Sequence, residues 1–536
     1  MSVALLVTVI LALAFIGTSN AKDLLRANKS EPKTWSALDK LDAFMKTLDD
    51  AGFEVEQGEV GFLDWVKDCC TGVLMHTGAN NPWPNAYVTL RFGGVPLMWQ
   101  LGENEAIVMV GQTPPPAAYF SYNTILGTLP DNPDTEVDEN LQLLGLTVGD
   151  SINIGTIKTI GPDPFNRPIV YIITGHRGTE RLVRAAALKA GYPDAIINVE
   201  TISPALGPLG HGAKATRWFN AQRVSVPADR NALETYLQNV GRLNKVFRVS
   251  PRDELAGQLG DDPEPVPVLR VRGTGHTELG LYPALKQLRA AILQQYGDQP
   301  FKELDTKIWE LGSGQTQVGR EMRVEKPYVG LQRGITVLGA SRDTNYLASY
   351  PNFMLRKDVN EFVIVYGVNH QKTGKATYSS FSIYADKWRW FGLKDGTTTS
   401  PNYDDPDGDG PIVGKPGDSA RRFLCPNDPN ACPADVQYLY AWKVARHCNG
   451  EAYCMEAKVN DDPAKPFTDI EGNPYACTLY DWRSYPPSPL GSFDLDRAEM
   501  FFLWRAYMEP ATKSAPDDNE LLYDRAIYFG KYFSQP

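Results

Sequence analysis

Residues 168–202 constrain the fold more than any other part of the sequence. They begin with a β-branched run at 169–174, which is typical of a strand that is buried on both faces. After a glycine-containing turn, Thr179 is expected to cap a helix, and residues 195–199 then resume a strand. This order predicts a parallel pair of strands joined by a right-handed helical crossover.

Two other segments have the apolar spacing of amphipathic helices. The first covers residues 35–52 and begins with Ser36 and Asp39, which are spaced as a capping box. The second has Pro283 in its first turn, where the missing N–H costs nothing, and ends at Gly297. The apolar positions are Leu38, Leu41, Phe44 and Leu48 in the first helix and Leu281, Leu285, Leu288 and Ile292 in the second.

Runs typical of strands account for much of the remaining sequence. Residues 105–110 predict a buried strand that ends at the proline-rich stretch 113–116, because proline cannot donate to a ladder. Residues 268–272 predict another strand, and residues 361–384 predict a long hairpin. The expected fold class is therefore α/β, or mixed α+β, with a βαβ-containing core and a β-rich, disulfide-bearing C-terminal region.

Shifts in composition divide the 536 residues into a signal peptide and four further regions. An acidic, proline-rich connector at 261–267 marks one of the boundaries. The predicted segments are a signal peptide at 1–21, an N-terminal α+β region at 22–135, a βαβ-containing region at 136–262, an α/β region at 263–345 and a β-rich, cysteine-containing region at 346–536.

The first residues of the chain predict export. The apolar run at 4–16 is shorter than a membrane span of about 20 residues, and Ser19 and Ala21 are the small residues that signal peptidase prefers. An uncleaved anchor is the alternative, since no Lys or Arg precedes the run. We expect a soluble protein, secreted or in the lumen of the secretory pathway, without stable membrane insertion after cleavage, and a glycoprotein if the sequon at Asn28 is used.

The seven cysteines agree with an oxidising compartment, where disulfides are the default. Two pairs enclose the shortest local loops and are expected to form disulfides: Cys425–Cys432 and Cys448–Cys454. Cys477 then has either Cys69 or Cys70 as its partner, and one thiol is left over. A zinc site is disfavoured because the spacings lack Cys-x-x-Cys knuckles.

The charge balance bears on the class of partner. A net charge of −11, from 53 basic and 64 acidic side chains, argues against nucleic acid, because phosphate binding requires a basic surface. The charge does not itself identify the partner, which we expect to be a small-molecule or glycan substrate.

Polar side chains follow strand-like runs at four places. Open sheets bind ligands beyond the carboxyl ends of their strands, so we expect at least two of these groups to share a pocket. The alternative is that strands simply end in polar loops. The groups are His176 with Arg177, His276 with Glu278, Arg342 with Asp343, and His370.

The residue types in these groups suggest their roles. As catalytic candidates we take His276, Glu278, His370 and Asp343, with one of the two histidines as general base and Glu278 as the carboxylate that orients it. A metal bound by His276, Glu278 and His370 is the alternative arrangement.

For substrate binding, an anion would be held by Arg177 or Arg342. The turn at 175–179 adds His176, backbone N–H groups and a helix N-terminus. The alternative for this turn is a capped helix start with an exposed arginine.

One acidic turn resembles part of a calcium loop. Asp405, Asp407 and Asp409 alternate and are followed by glycine, which suits a hard cation that requires several oxygens. An EF-hand needs Glu at the twelfth position, where this chain has Pro416, so the match covers half of the motif. The sequence predicts either a calcium site or a solvated acidic turn.

Several common enzyme motifs are absent. Residues 367–377 resemble a phosphate loop, but the glycine spacing differs and alanine follows Lys375. No serine-hydrolase elbow or dinucleotide fingerprint is present, and no segment resembles a known family. The functional hypothesis is a secreted, hydrolase-like enzyme that acts on a small anionic or glycosidic substrate. The alternative is a non-catalytic extracellular binding or structural protein stabilised by disulfides and calcium.

Overall fold

The computed structural model describes residues 35–62, 85–92, 98–129, 142–147, 149–308, 341–356, 360–385, 391–392, 398–399, 416–428, 431–457 and 500–531. Several predicted features lie outside these ranges: the signal peptide, the sequon at Asn28, Cys69, Cys70, Cys477, the run at 335–338, and the calcium candidates Asp405, Asp407 and Asp409.

The described chain forms a mixture of helices and strands, as the fold class predicted. Its strands are β1 (Phe53–Gln57), β2 (Glu59–Phe62), β3 (Asn85–Arg91), β4 (Ala106–Gln112), β5 (Ala117–Leu129), β6 (Gln142–Thr147), β7 (Ile152–Asn153), β8 (Pro168–Thr174), β9 (Ile197–Thr201), β10 (Arg217–Pro227), β11 (Lys245–Pro251), β12 (Phe301–Ile308), β13 (Thr344–Tyr350), β14 (Phe362–Val368), β15 (Tyr378–Ala385), β16 (Phe391–Gly392), β17 (Thr398–Thr399), β18 (Leu439–Ala445), β19 (Cys454–Glu456), β20 (Met500–Tyr507) and β21 (Arg525–Phe529).

The α-helices are α1 (Leu41–Asp50), α2 (Arg177–Lys189), α3 (Arg230–Gln238), α4 (Val240–Leu243), α5 (Asp253–Leu259), α6 (Tyr282–Tyr296) and α7 (Pro416–Leu424). Short 3-10 helices cover Ala37–Lys40, Asp194–Ile196, Leu279–Leu281 and Ala434–Tyr438.

Sheet A has the strand order β1-β11-β4-β8-β9 and contains the predicted βαβ unit. Strands β8 and β9 are parallel and are connected through α2, whereas the other pairs are antiparallel. Strand β4 is buried on both faces: Ala106 and Val108 pack towards α1 and α2, and Ile107 and Met109 pack towards the second sheet. The prediction of a buried strand at 105–110 is therefore confirmed.

Sheet B has the order β2-β3-β10-β5-β6, with β7 added alongside β5, and all of its pairs are antiparallel. Its inner face packs on sheet A, and the large buried side chains of that core include Trp218, Tyr122 and Tyr171. Helices α1 and α2, sheet A and sheet B thus form three successive layers.

Sheet C has the order β16-β15-β20-β13-β12-β21-β14-β18-β19, with β17 beside β15. Strand β12 changes partner along its length: residues 301–304 pair with β21, and residues 305–308 pair with β13. One face encloses a core that includes Phe381, Trp442 and Trp504. On the other face, α6 and α7 cover strands β14, β18 and β21.

The two disulfides expected from loop length are present. Cys425 pairs with Cys432 and Cys448 with Cys454, at Cα separations of 5.2 and 5.6 Å. Both lie in the β-rich C-terminal region, as the predicted fold class requires.

The predicted helices and their caps are largely confirmed. Ser36 and Asp39 form the capping box, and the first helix runs from a 3-10 turn into α1. Helix α6 has proline in its first turn and ends at Gly297. The cap of α2 was predicted wrongly: His176, rather than Thr179, is the N-cap, and its ring accepts the backbone N–H of Thr179.

Two predicted β elements were wrong. Residues 268–272 form no strand: no segment in the described ranges pairs with them, and Val268 and Val271 are 96% and 81% exposed. Residues 362–368 and 378–385 are strands but not a hairpin. Strand β14 pairs with β18 and β21, whereas β15 pairs with β16, β17 and β20.

Sheets A and B take their strands from residues 53–251, and sheet C takes its strands from residues 301–529. The proline-rich connector at 261–267 lies between the two sets. Sheets A and B each contain strands from both sides of residue 135, and the segment boundaries remain predictions. Within the part of the chain that the structure describes, no helix has the length and apolar character needed to cross a membrane.

Candidate functional site

An open cleft of about 410 Å³ lies where three loops of the sheet C region meet. One loop precedes α6, the second connects β14 to β15, and the third is the 3-10 helix before β18. Two of the predicted catalytic residues, His276 and Glu278, line it. The full lining is His276, Thr277, Glu278, Gly280, Leu281, Thr373, Lys375, Asp435 and Tyr438.

Tight backbone turns bring these side chains together. In the β14–β15 loop, the N–H groups of Lys375 and Ala376 both donate to the carbonyl of His370, at 2.8 and 2.9 Å. In the loop before α6, Gly273 has φ of +80°, and a Cβ there would lie 2.7 Å from Asp517 and Glu520 side-chain atoms. Only glycine fits this close approach, so Gly273 sets the path of the chain that leads to His276.

A buried ion triad adjoins the cleft through Glu278, the one member of the triad that lines it. The Nδ1 atom of His370 lies 2.9 Å from Oε1 of Glu278, and its Nε2 atom lies 3.3 Å from Oδ2 of Asp524. All three residues are buried, with exposures of 2%, 4% and 4%. The Tyr440 hydroxyl donates to the other Asp524 oxygen at 2.6 Å. Both ring nitrogens of His370 are thus engaged by carboxylates, as expected of an imidazolium.

The electrostatics agree with this geometry. Burial opposes the charge on His370, but the carboxylates of Glu278 and Asp524 outweigh it and raise the pKa of the imidazole to about 10. Burial would also raise the pKa of Glu278. The His370 charge and hydrogen bonds from Thr373 and the Leu522 N–H hold the pKa of this carboxyl below its usual value instead. At neutral pH the pair is therefore charged.

A second ion network adjoins the first. Lys375 donates to Glu509 at 2.9 Å, to Glu520 at 2.5 Å and to the Thr274 hydroxyl at 3.0 Å. Backbone N–H groups of Thr274 and Gly275 also donate to Glu520. Burial of Lys375 is outweighed by these carboxylates, so the pKa of its ammonium is raised. The three ammonium protons of Lys375 are thus used by Thr274, Glu509 and Glu520 within the protein.

Asp343 lies away from the cleft, between sheets B and C. It is fully buried and accepts hydrogen bonds from the Tyr119 hydroxyl at 2.7 Å and from the Asn153 amide at 3.0 Å. Its neighbour Arg342 is also buried and pairs with Asp150 at 3.1 Å. The structure does not bring this pair to the cleft.

His176 and Arg177 lie at the start of α2. The Nδ1 atom of His176 accepts the Thr179 N–H at 3.1 Å, and its Nε2 atom lies 3.1 Å from the Gly260 carbonyl. Arg177 is half exposed and contacts Asp262 and the carbonyl of Pro263. The contacts in the structure therefore match a capped helix start with an exposed arginine.

Several residues at the cleft were not singled out from the sequence. Lys375 lies in the segment 367–377, whose resemblance to a phosphate loop is only partial. Its glycine-lysine pair is the one sequence feature that could have pointed to this residue. Asp524 lies 154 positions beyond its partner His370, and no local pattern links them. Asp435 lies two positions after Pro433 and resembles part of an ordinary helix start. No group of three or more His, Cys, Asp or Glu side chains in the described ranges is arranged to hold a metal ion.

Comparison with known proteins leaves the family open. No protein-family model matches the sequence, and no curated protein matches it. Among solved structures, the chain is similar to an uncharacterized protein from Burkholderia cenocepacia, with 11% sequence identity and a TM-score of 0.34. The similarity covers 92% of this chain and 86% of that one. At this level of similarity, neither fold nor function is inferred from the relative.

Proposed function

We propose that the protein is a non-catalytic extracellular binding protein whose cleft at His276, Thr277, Thr373, Asp435 and Tyr438 takes a neutral, hydroxyl-rich ligand, a saccharide. The observation that carries the proposal is the lining itself. Two threonines, an exposed imidazole and an exposed carboxylate line the cleft together with Tyr438. Sugars are held by such combinations of hydrogen-bonding groups with an aromatic surface.

The charge at the cleft favours a neutral ligand over an anion. His370 and Lys375 are the two cations, and each is matched by two carboxylates. Asp435 adds a fifth carboxylate, so two positive and five negative groups leave a formal charge of −3. An anionic ligand would be repelled there, which selects the glycosidic class from the two that the sequence suggested.

The hydrogen bonding supports binding rather than chemistry. A general base needs a free lone pair within reach of substrate. Both oxygens of Glu278 accept hydrogen bonds, from Thr373 and His370 on one side and from Leu522 and His370 on the other. His370 itself is protonated and buried. The triad therefore fits a scaffold that fixes the loops of the cleft.

Calorimetric titration of the full chain with neutral oligosaccharides of glucose, mannose, xylose and N-acetylglucosamine tests the proposal. We expect one of these series to bind, with a loss of at least about tenfold in affinity for His276→Ala and Asp435→Asn. The matched control is His211→Ala, which removes another exposed histidine outside the cleft. Equal affinity in the cleft variants and the control, or no binding in any series, would refute the proposal.

An enzyme remains the second candidate, and one observation favours it. His276 is exposed and lines the same cleft as Glu278 and Asp435, so an imidazole and two carboxylates share the cleft. A hydrolase would release reducing ends from the same oligosaccharides, and Asp435→Asn would abolish the release. Binding without turnover would leave the binding protein as the function.

We also propose that the protein works outside the cytosol, in the oxidising compartment that the N-terminal apolar run implies. The two disulfides support this placement, because such bonds persist where thiols are not kept reduced. Intact-mass analysis of protein collected from the medium tests it. We expect an N-terminus at Lys22 and a glycan mass on Asn28, whereas retention inside cells with free thiols would contradict the proposal.

A further inference from the structure

The junction between sheet B and sheet C contains a carboxyl that the cleft does not use. Asp343 precedes β13 and is 0% exposed. Its Oδ2 atom accepts hydrogen bonds from Tyr119 on β5 and from Asn153 on β7. The same Asn153 amide donates to the carbonyl of Lys513 at 3.0 Å. One carboxyl therefore joins two strands of sheet B to the start of strand β13 in sheet C.

Other contacts meet at the same place. The ring of Tyr119 lies 5.2 Å from that of Tyr507, and Arg223 on β10 donates to the Tyr507 hydroxyl. Tyr507 in turn stacks on Tyr378 at 4.6 Å. The junction is thus a buried, aromatic environment around Asp343, in which a charge is poorly solvated.

Both side-chain donors that reach the carboxyl of Asp343 donate to the same oxygen, Oδ2. Its Oδ1 atom is buried and has no hydrogen-bond partner among the residues that the structure describes. An ionised carboxylate would leave that oxygen unsolvated, which costs far more than burying a neutral hydroxyl. The nearby cations Arg270 and Arg342 both pair with Asp150, so one of their two positive charges is compensated.

Several charged and hydrogen-bonding groups around Asp343 act on its pKa in opposite directions. Burial raises the pKa of Asp343, and the charge of Asp150 adds to this. The donors Tyr119 and Asn153 and the charge of Arg270 lower the pKa in part, but the raised direction prevails.

We propose that Asp343 is a proton-controlled lock between sheets B and C: its neutral carboxyl holds the two sheets together, and ionisation loosens the junction. The carboxyl of Asp343 binds its proton more tightly in the closed form than in the open form. Protonation therefore stabilises the closed form, and this stabilisation is complete at pH values below the ordinary pKa of an aspartate. The stabilisation is lost as the pH rises towards the raised value. Across that interval, the opening equilibrium increases by up to about tenfold per pH unit.

Hydrogen exchange of the full chain between about pH 4 and pH 8, corrected for intrinsic exchange rates, tests the lock. We expect amides of β5, β7 and β13 to lose protection as the pH rises, and Asp343→Asn to remove this slope. Glu200→Gln is the matched control. Glu200 is also a buried carboxyl that accepts from a tyrosine, but it lies in the core between sheets A and B. Because Glu200 also accepts the N–H of Thr124 on β5, the control is measured at β7 and β13, where we expect the slope to stay unchanged.

A second variant covers the case in which Asp343→Asn fails to fold. Tyr119→Phe removes a donor that lowers the pKa of Asp343, so the pH at which the junction loosens should move upward. A merely structural hydrogen bond would weaken protection at every pH without moving that midpoint. Junction protection that is constant or increases with pH in the native chain, or an unchanged slope in Asp343→Asn, would overturn the proposal.

Discussion

His370 lies between the carboxylates of Glu278 and Asp524, and this environment decides its charge. Its pKa in the folded chain is about 10, compared with an ordinary value of 6.5. The ion pairing therefore stabilises the fold fully below about pH 6.5 and is lost as the pH rises through about 10. The pH dependence of the Glu278 contribution has the opposite sign. Because the pKa of Glu278 is lowered in the folded chain, its stabilising contribution is lost as the pH falls. The triad is most stable between these limits.

Lys375 provides a prediction at the residue scale. Lys375→Met leaves Glu509 and Glu520 buried without their cation, which is expected to lower the free energy of unfolding by about 3–5 kcal/mol at neutral pH. Because unpaired buried carboxyls take up protons, the variant should gain stability as the pH falls from about 7 to about 5. In the native chain, the lowered pKa of Glu520 gives the opposite slope.

Urea unfolding at the two pH values measures this difference. Lys372→Met is the control, because Lys372 lies on the same turn but is exposed. It should change the free energy of unfolding by less than about 0.5 kcal/mol. Equal stabilities of the two variants would show that the Lys375 network contributes nothing.

At the scale of elements, His176 is the N-cap of α2, and its predicted role in substrate binding stays a prediction. His176→Ala should lower the free energy of unfolding more than His176→Asn, because asparagine supplies a side-chain acceptor for the Thr179 N–H. The expected difference between the two variants is about 1 kcal/mol. Thermal and chemical unfolding measure it. Identical stability of the alanine and asparagine variants would contradict the capping role.

The two disulfides give another prediction for single elements. They close loops of nearly equal length, with sequence separations of 7 and 6. In the loop-entropy model each contributes about 2 kcal/mol, so Cys425→Ser/Cys432→Ser and Cys448→Ser/Cys454→Ser should lose similar amounts. Chemical unfolding of the two double variants tests this. A variant that does not fold, or a several-fold difference between the two losses, would show that the loops are not equivalent.

The elements that sequence predicted well depend on local pattern. The parallel βαβ unit and helix α6 follow from apolar period, cap residues and proline placement within a single segment. Strand pairing depends on distant segments, so the composition of β14 and β15 did not reveal that they lie far apart in sheet C. Residues 268–272 have strand-forming side chains but lack a neighbour to pair with.

At the scale of the whole molecule, the cleft depends on tertiary structure rather than on a motif. Glu278 and Asp524 lie 92 and 154 positions from His370, in opposite directions along the chain. Sequence therefore identified His276, Glu278 and His370 by residue type, but not the second carboxylate that keeps the imidazole charged. That carboxylate is the basis for our proposal that His370 is part of a scaffold, whereas its predicted role as a general base stays untested.

The most direct test of this account is a pH titration of the His370 ring nitrogens by NMR, in the full chain. We expect both ring nitrogens to stay protonated through neutral pH and the imidazole to titrate near 10. Glu278→Gln should lower this midpoint, because it removes one of the two carboxylates. Asp435→Asn, which changes the cleft without touching the triad, should leave the midpoint in place. A native midpoint near 6.5, with a neutral imidazole at physiological pH, would contradict the scaffold and restore His370 as a base.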